Sequence, residues 1–130
     1  MAEKQKPGLR KCVSGVAAVE FALVLPPFLL LFIGMISATI AVFAAASLHY
    51  AVEGAARCYS VNSTQCGTAA AAQTYAQSLY NGPNSPTFSA STPSCGRQIS
   101  GTLNYALLGA AGTNLPQWLT IPLSATACFP

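Results

Sequence analysis

A run of 26 residues without a charge, from Phe21 to Ala46, constrains this chain more than any other feature. Leu, Val, Ile, Phe and Ala dominate the run, and Ser37 and Thr39 are its only hydroxyl side chains. At about 1.5 Å per residue, a helix of this length exceeds the roughly 30 Å hydrocarbon core of a bilayer. The sequence therefore predicts one membrane-spanning helix, at about residues 21–46, in contact with membrane lipid.

The positive charges lie mostly before this run, at Lys4, Lys6, Arg10 and Lys11. Only Arg57 and Arg97 follow it. Because cations are retained on the cytoplasmic side, this asymmetry predicts a cytoplasmic N-terminus and an exported C-terminus. Two arginines do not form the cationic stripe that phosphate binding needs, so nucleic acid is not an expected partner.

A cleavable signal peptide is the alternative for the same residues. It would combine the cationic N-terminus, the apolar run and the small residues Ala44 to Ala46 in the usual order. The apolar region of a signal peptide is usually 7–15 residues long, so the longer run favours a retained anchor. Cleavage near Ala46 stays an open alternative.

Composition argues against an enzyme. Charged residues make up 7% of the chain, there is no aspartate, and the acids are Glu3, Glu20 and Glu53. General acid/base pairs and hard-metal sites need clustered carboxylates or histidines, and the chain has only His49. No cysteine pair has the C-x-x-C spacing of a zinc site. We therefore expect no catalytic site, cofactor, metal or small-molecule substrate.

Beyond the apolar run, the pattern predicts a small α+β domain. The long helix should continue to about Arg57 and approach 40 residues. After it we expect a polar loop at 60–67, an alanine-rich helix at 68–80 with Thr68 near its N-cap, and strands at 87–91, 97–107 and 118–129. The last two strands should pair antiparallel through a loose connection at 109–116, with Pro122 at a sheet edge.

Cysteine placement matches the predicted topology. Cys12 lies on the cytoplasmic side, whereas Cys58, Cys66, Cys95 and Cys128 lie on the exported side. An even number of cysteines in an oxidising compartment indicates disulfides. Of the three possible connectivities we favour Cys58–Cys66, which brackets the predicted loop, and Cys95–Cys128, which joins the two ends of the strand pair.

Glu20 is the anomaly at the head of the apolar segment, since a carboxylate at the edge of a membrane span is costly. An interfacial glutamate that reaches toward the headgroups is one explanation. The order Gly15, four apolar residues, then Glu20 and Phe21 resembles the processing site of type IV pilin-like proteins. That resemblance implies cleavage by a prepilin peptidase between Gly15 and Val16, and a role in assembly for Glu20 and Phe21.

More specifically, SGVAAVEFALVLPPFLLLFIGMISA followed by AVEGAARC resembles the TadE family of the tight-adherence (Flp, type IVc) pilus system. The shared features are the Glu-Phe pair, Pro26 six residues after Glu20, and the continuation through Glu53 to Arg57. The similarity is strongest over residues 15–66 and rests on cysteine placement beyond them. Pro27, a second proline beside Pro26, departs from the pattern.

The resemblance implies a pseudopilin or minor pilin that takes part in assembly of an adhesive pilus. Its partners would be the prepilin peptidase, other pilins and pilus-assembly proteins. The chain would divide into a leader at 1–15, a helix at 16–57 and an exported domain at 58–130. It would cross the bacterial inner membrane once, with a periplasmic C-terminus, or lie outside the cell within the pilus. The alternative is an unprocessed single-pass protein whose exported domain binds a ligand or scaffolds another complex.

Overall fold

The computed structural model of the chain describes residues 13–107 and 120–130. The elements follow in the order α1 (Val13–Val61), α2 (Ser63–Cys66), α3 (Ala69–Leu79), β1 (Thr87–Ser91), β2 (Arg97–Ala106) and β3 (Thr120–Phe129). The predicted α+β class with a long N-terminal helix is confirmed. Most of the predicted leader, the connection at 109–116 and residues 118–119 of the last predicted strand lie outside the described residues.

Helix α1 has 49 residues and is longer than predicted. The predicted polar loop at 60–67 is wrong, because Ser60 and Val61 complete α1 and the next turn is helical again. Asn62 explains both features. Its backbone N–H bonds to the Cys58 carbonyl at 2.8 Å, and its Oδ1 accepts from two N–H groups of α2 at 3.1 and 3.2 Å. An asparagine that is typical of a loop thus caps a new helical turn.

Helix α3 forms where the alanine-rich stretch predicts it. Thr68 is its N-cap, and the threonine Oγ1 accepts a hydrogen bond from the Ala71 N–H at 3.2 Å. Ala72 and Ala76 are buried on one face of the helix. These two alanines are the residues by which α3 joins the hydrophobic core.

The three described strands form one antiparallel sheet in the order β1-β2-β3. Ser89 lies opposite Ser100, which lies opposite Thr126 across both pairings. The predicted antiparallel pairing of β2 and β3 is confirmed. Pro122 lies on β3, an outer strand of this sheet, where its missing N–H is tolerated.

The core lies between one face of α1, helix α3 and one face of the sheet. Half of its buried members come from α1, at the three- and four-residue spacing of a helix face. These members are Ala44, Leu48, Ala51, Val52, Ala55, Ala56 and Tyr59. The sheet contributes Phe88, Ile99, Leu103 and Ala125, and α3 contributes Ala72 and Ala76. The C-terminal half of α1 is thus an integral part of the core.

Gly101 allows the sheet and α1 to approach closely. A Cβ at this position would come within 2.8 Å of the Phe88 ring and 2.9 Å of Leu48 Cδ1. Since real Cβ atoms do not approach other carbons so closely, a side chain here would force Phe88 and Leu48 to shift, and glycine avoids this.

The described residues between Ile36 and Pro130 form one compact unit. The exported domain at 58–130 stays a prediction, and the compact unit also includes the part of α1 that begins at Ile36. The reason is that seven residues of α1 between Ala44 and Tyr59 belong to the core.

Candidate functional site: the exposed apolar helix

Helix α1 exposes apolar side chains on all sides over its first part. From Gly15 to Ile36 every residue except Leu25, which is half-buried, is exposed. From Gly15 onward, the first buried side chain is that of Ser37, at 7% exposure. A helix that is apolar all round requires an apolar environment, either lipid or other helices.

Among the described residues, one helix is long and apolar enough to cross a membrane, and it is α1, over Gly15–Val61. Only 11% of its most apolar stretch is buried within the protein, whereas the core helix of a soluble fold is mostly buried. This feature supports a membrane anchor near the N-terminus.

Glu20 is the only acidic or basic residue between Cys12 and Glu53, apart from His49. It is exposed, and no described residue pairs with it or donates a hydrogen bond to it. Val16 lies four residues earlier and therefore on the same side of the helix. The neighbouring Phe21 is 65% exposed. The carboxylate thus projects from an apolar surface, where a charge is costly unless it reaches the headgroups or pairs with a cation.

Gly15 has no packing role among the described residues. A Cβ built on it meets no atom within 4 Å. Glycine inside a helix costs about 1 kcal/mol relative to alanine, so local structure does not account for its presence. The fold thus gives no reason for a glycine at this position, whereas the predicted processing site at Gly15 would require a small residue.

Pro26 and Pro27 lie inside α1, which continues through them as one helix. Neither proline has an N–H, so the carbonyls of Ala22 and Leu23 lose their usual partners four residues on. The helix therefore lacks two consecutive backbone hydrogen bonds within its exposed apolar part.

Two arginines contact the sheet end and the last turns of α1. The Arg97 guanidinium donates to the Tyr59 carbonyl and stacks on the Tyr59 ring, with its Cζ 4.6 Å from the ring centroid. The Arg57 Cζ lies 5.4 Å from the centroid of the Phe129 ring. Sequence reasoning assigned no structural role to Arg97, because its partner is 38 residues away and nothing local indicates the contact.

The structure contains the disulfides Cys58–Cys66 and Cys95–Cys128, with Cα–Cα distances of 5.6 and 6.3 Å. These are the two pairs that the sequence favours. The first joins α1 to α2, and the second joins the segment before β2 to the end of β3. Disulfides of this kind are typical of oxidising compartments, which is consistent with an exported unit.

Titratable chemistry is sparse in the described part of the chain. It holds no group of three or more His, Cys, Asp or Glu residues that could bind a metal ion. Burial raises the pKa of the Tyr80 phenol, whose hydroxyl donates to the Pro83 carbonyl at 2.7 Å. This tyrosine closes a turn and lies away from Glu20 in the sequence, so it does not belong to the candidate site.

Together, the fold and the site define a class: proteins with a long apolar N-terminal helix, suited to anchor in a membrane, and a small α+β unit with two disulfides. Residues 15–57 match the family described as TadE-like protein. The predicted resemblance is confirmed over this segment, which is 43 of 130 residues. The match supports a protein associated with the tight-adherence pilus system. No curated protein and no solved structure shows a significant match to the chain.

Proposed function

We propose that this chain is a TadE-like pseudopilin or minor pilin that acts in assembly of a tight-adherence pilus. The observation that carries the proposal is Glu20, a single carboxylate on an exposed apolar helix, five residues after a glycine that no packing explains. The family match begins at that same glycine, Gly15.

In this proposal a prepilin peptidase cuts between Gly15 and Val16. The small glycine admits an extended backbone to the peptidase, and the cut creates an α-amino group at Val16. The chain's formal charge then falls from +3 to zero, because Lys4, Lys6, Arg10, Lys11 and Glu3 leave with residues 1–15. The mature chain keeps two arginines and two glutamates.

Glu20 then pairs with the Val16 amine of a neighbouring pilin. An unpaired carboxylate in an apolar helix bundle is strongly unfavourable, whereas a carboxylate beside an ammonium group neutralises both charges. The pair would set the axial register between neighbouring helices. Phe21, beside it, contributes apolar contact to the same bundle.

Before assembly the helix spans the inner membrane, with its N-terminus in the cytoplasm and the disulfide-bonded unit in the periplasm. We place the bilayer at Val16–Ile36 rather than at 21–46. This exposed segment has 21 residues and a length of about 31 Å, which matches the hydrocarbon core. From Ser37 onward, one face of α1 is covered by protein.

N-terminal sequencing of the membrane-extracted protein tests processing. The expected start is Val16; an intact Met1 would refute cleavage and favour the unprocessed single-pass alternative, and a start at Ser47 would indicate a secreted domain. Gly15→Val should abolish cleavage without disturbing the helix. Gly34→Val is the matched control, because a Cβ at Gly34 also meets no atom within 4 Å.

Glu20→Gln tests assembly. This isosteric change removes the charge, so we expect normal insertion and cleavage but loss of pili in a strain that carries only the variant. Glu53→Gln is the control, since Glu53 is an exposed glutamate on the same helix but outside the apolar segment. Normal piliation with Glu20→Gln, scored by electron microscopy of sheared pili, would remove the assembly role.

A further inference from the structure

Six exposed hydroxyl side chains lie in residues 84–94, which we call the hydroxyl segment and which contains β1. They are Ser85, Thr87, Ser89, Ser91, Thr92 and Ser94. No described residue forms a hydrogen bond with these hydroxyls. By contrast, the hydroxyls of Thr68, Thr74 and Ser78 all bond to the backbone of α3. The hydroxyl segment therefore has a set of side chains that the fold does not use.

The sequence of this segment has a recognisable composition. It contains Pro86 and Pro93 and no charged residue. Segments rich in serine and threonine with proline are typical acceptors of O-linked sugars. On β2, by contrast, the Ser100 hydroxyl accepts a hydrogen bond from the Gln98 amide.

The fold holds the segment in an accessible, extended form. Strand β1 lies at the edge of the described sheet, and Phe88 is buried as its anchor. Because side chains alternate along a strand, Thr87, Ser89 and Ser91 project away from the core. An enzyme can reach these side chains without unfolding the sheet.

Thr87 has the best surroundings for a sugar. It borders a groove of about 290 Å³ that is also lined by Asn104 and by Asn84, whose amide donates to the Asn104 carbonyl. It also borders a second groove, of about 400 Å³, that is lined by Gln73 and by Gln77, whose amide donates to the Pro86 carbonyl. Amide side chains both donate and accept hydrogen bonds, as sugar hydroxyls require. Among the described residues that line the two grooves, none is charged.

We propose that Thr87 is an acceptor for an O-linked glycan. Its hydroxyl oxygen attacks the anomeric carbon of a sugar whose donor is a phosphate-linked glycan. The bond between the anomeric carbon and the phosphate oxygen breaks, and the phosphate leaves with the electron pair. The hydroxyl proton passes to a base of the glycosyltransferase, and no group is oxidised or reduced. The proposal is independent of any role in the pilus.

Mass spectrometry of the full-length protein, purified from the membranes of the organism that produces it, tests the proposal. After reduction, trypsin cuts after Arg57 and Arg97 and separates residues 58–97 from residues 98–130. We expect the first peptide to exceed its sequence mass by one or more sugar residues, localised to Thr87 by electron-transfer fragmentation. The second peptide should have its sequence mass.

Thr87→Val retains the β-branched shape and should return the first peptide to its sequence mass. The matched control is Thr102→Val, since Thr102 lies directly opposite Thr87 in the sheet and is also exposed. That variant should retain the sugar. An unmodified wild-type peptide overturns the proposal. So does a sugar at any other residue, including Asn62 in the N-linked sequence Asn-Ser-Thr.

Discussion

At the scale of single residues, Tyr80 makes the free energy of unfolding depend on pH in the alkaline range. Burial raises the pKa of its phenol above the ordinary value of about 10. Between the unfolded and folded pKa values, the folded protein keeps a proton that the unfolded chain has lost. The free energy of unfolding must therefore fall as pH rises through this range, and the full contribution is present below the unfolded pKa.

We expect the urea midpoint of the wild-type protein in detergent to fall more steeply above about pH 10 than that of Tyr80→Phe. The variant also loses the 2.7 Å bond to Pro83, so its midpoint should be lower at neutral pH. Parallel wild-type and Tyr80→Phe curves would show that Tyr80 does not contribute.

Single residues also show where sequence reasoning succeeds. Glu20 was identifiable because a lone charge in an apolar run is conspicuous in one dimension. Gly101 was not, since its requirement comes from Leu48 and Phe88, which approach it only in the folded chain. Arg97 is a similar case, because a contact across 38 residues leaves no local pattern.

At the scale of elements, the end of α1 depends on Arg97. The last carbonyls of a helix lack intrahelical partners, and a cation near them is favourable. Arg97 supplies both a hydrogen bond to the Tyr59 carbonyl and a stacked contact with the Tyr59 ring. It thereby fastens the start of β2 to the last turn of α1.

Arg97→Met should lower the free energy of unfolding by about 2 kcal/mol, because it removes a charged hydrogen bond and a cation–π contact. Arg57→Met is the matched control. Arg57 is exposed and makes a longer ring contact with Phe129, so the loss should stay below about 1 kcal/mol. Equal losses in urea titrations would contradict the proposed role of Arg97.

The elements themselves were largely predictable, and their ends were less so. Periodicity located α3 and the strands within a few residues, since each combines a regular pattern with turn residues at its ends. The transition from α1 to α2 was not predicted, because Asn62 and its polar neighbours are as common in loops as at helix caps. Only the hydrogen bonds that Asn62 forms in the folded chain show that it is a helix cap and not a loop residue.

At the scale of the whole molecule, the two disulfides should differ in their contribution to stability. Their sequence separations are 8 and 33 residues. Loop-closure entropy predicts contributions of about 2.5 and 3.7 kcal/mol, since the longer loop restricts the unfolded chain more. The double variant Cys95→Ala with Cys128→Ala should therefore lose about 1 kcal/mol more than Cys58→Ala with Cys66→Ala.

Urea unfolding of both double variants and the wild type in the same detergent, followed by circular dichroism, measures this difference. The comparison holds only if each variant keeps the native secondary structure, which the spectra before unfolding report. If the Cys58/Cys66 variant lost more free energy of unfolding, packing of the buried Cys66 would contribute more than the loop-closure entropy of its bridge.

The even exposure of α1 from Gly15 to Ile36 has a consequence for how the helix could leave a bilayer. With no polar side apart from Glu20, the helix cannot rest half in lipid and half in water. A single neighbouring helix would cover one stripe and leave the remainder in contact with acyl chains. The helix can therefore leave the membrane only when several helices enclose it at once. Whether it leaves depends more on the number of neighbouring helices than on the identity of any one of them.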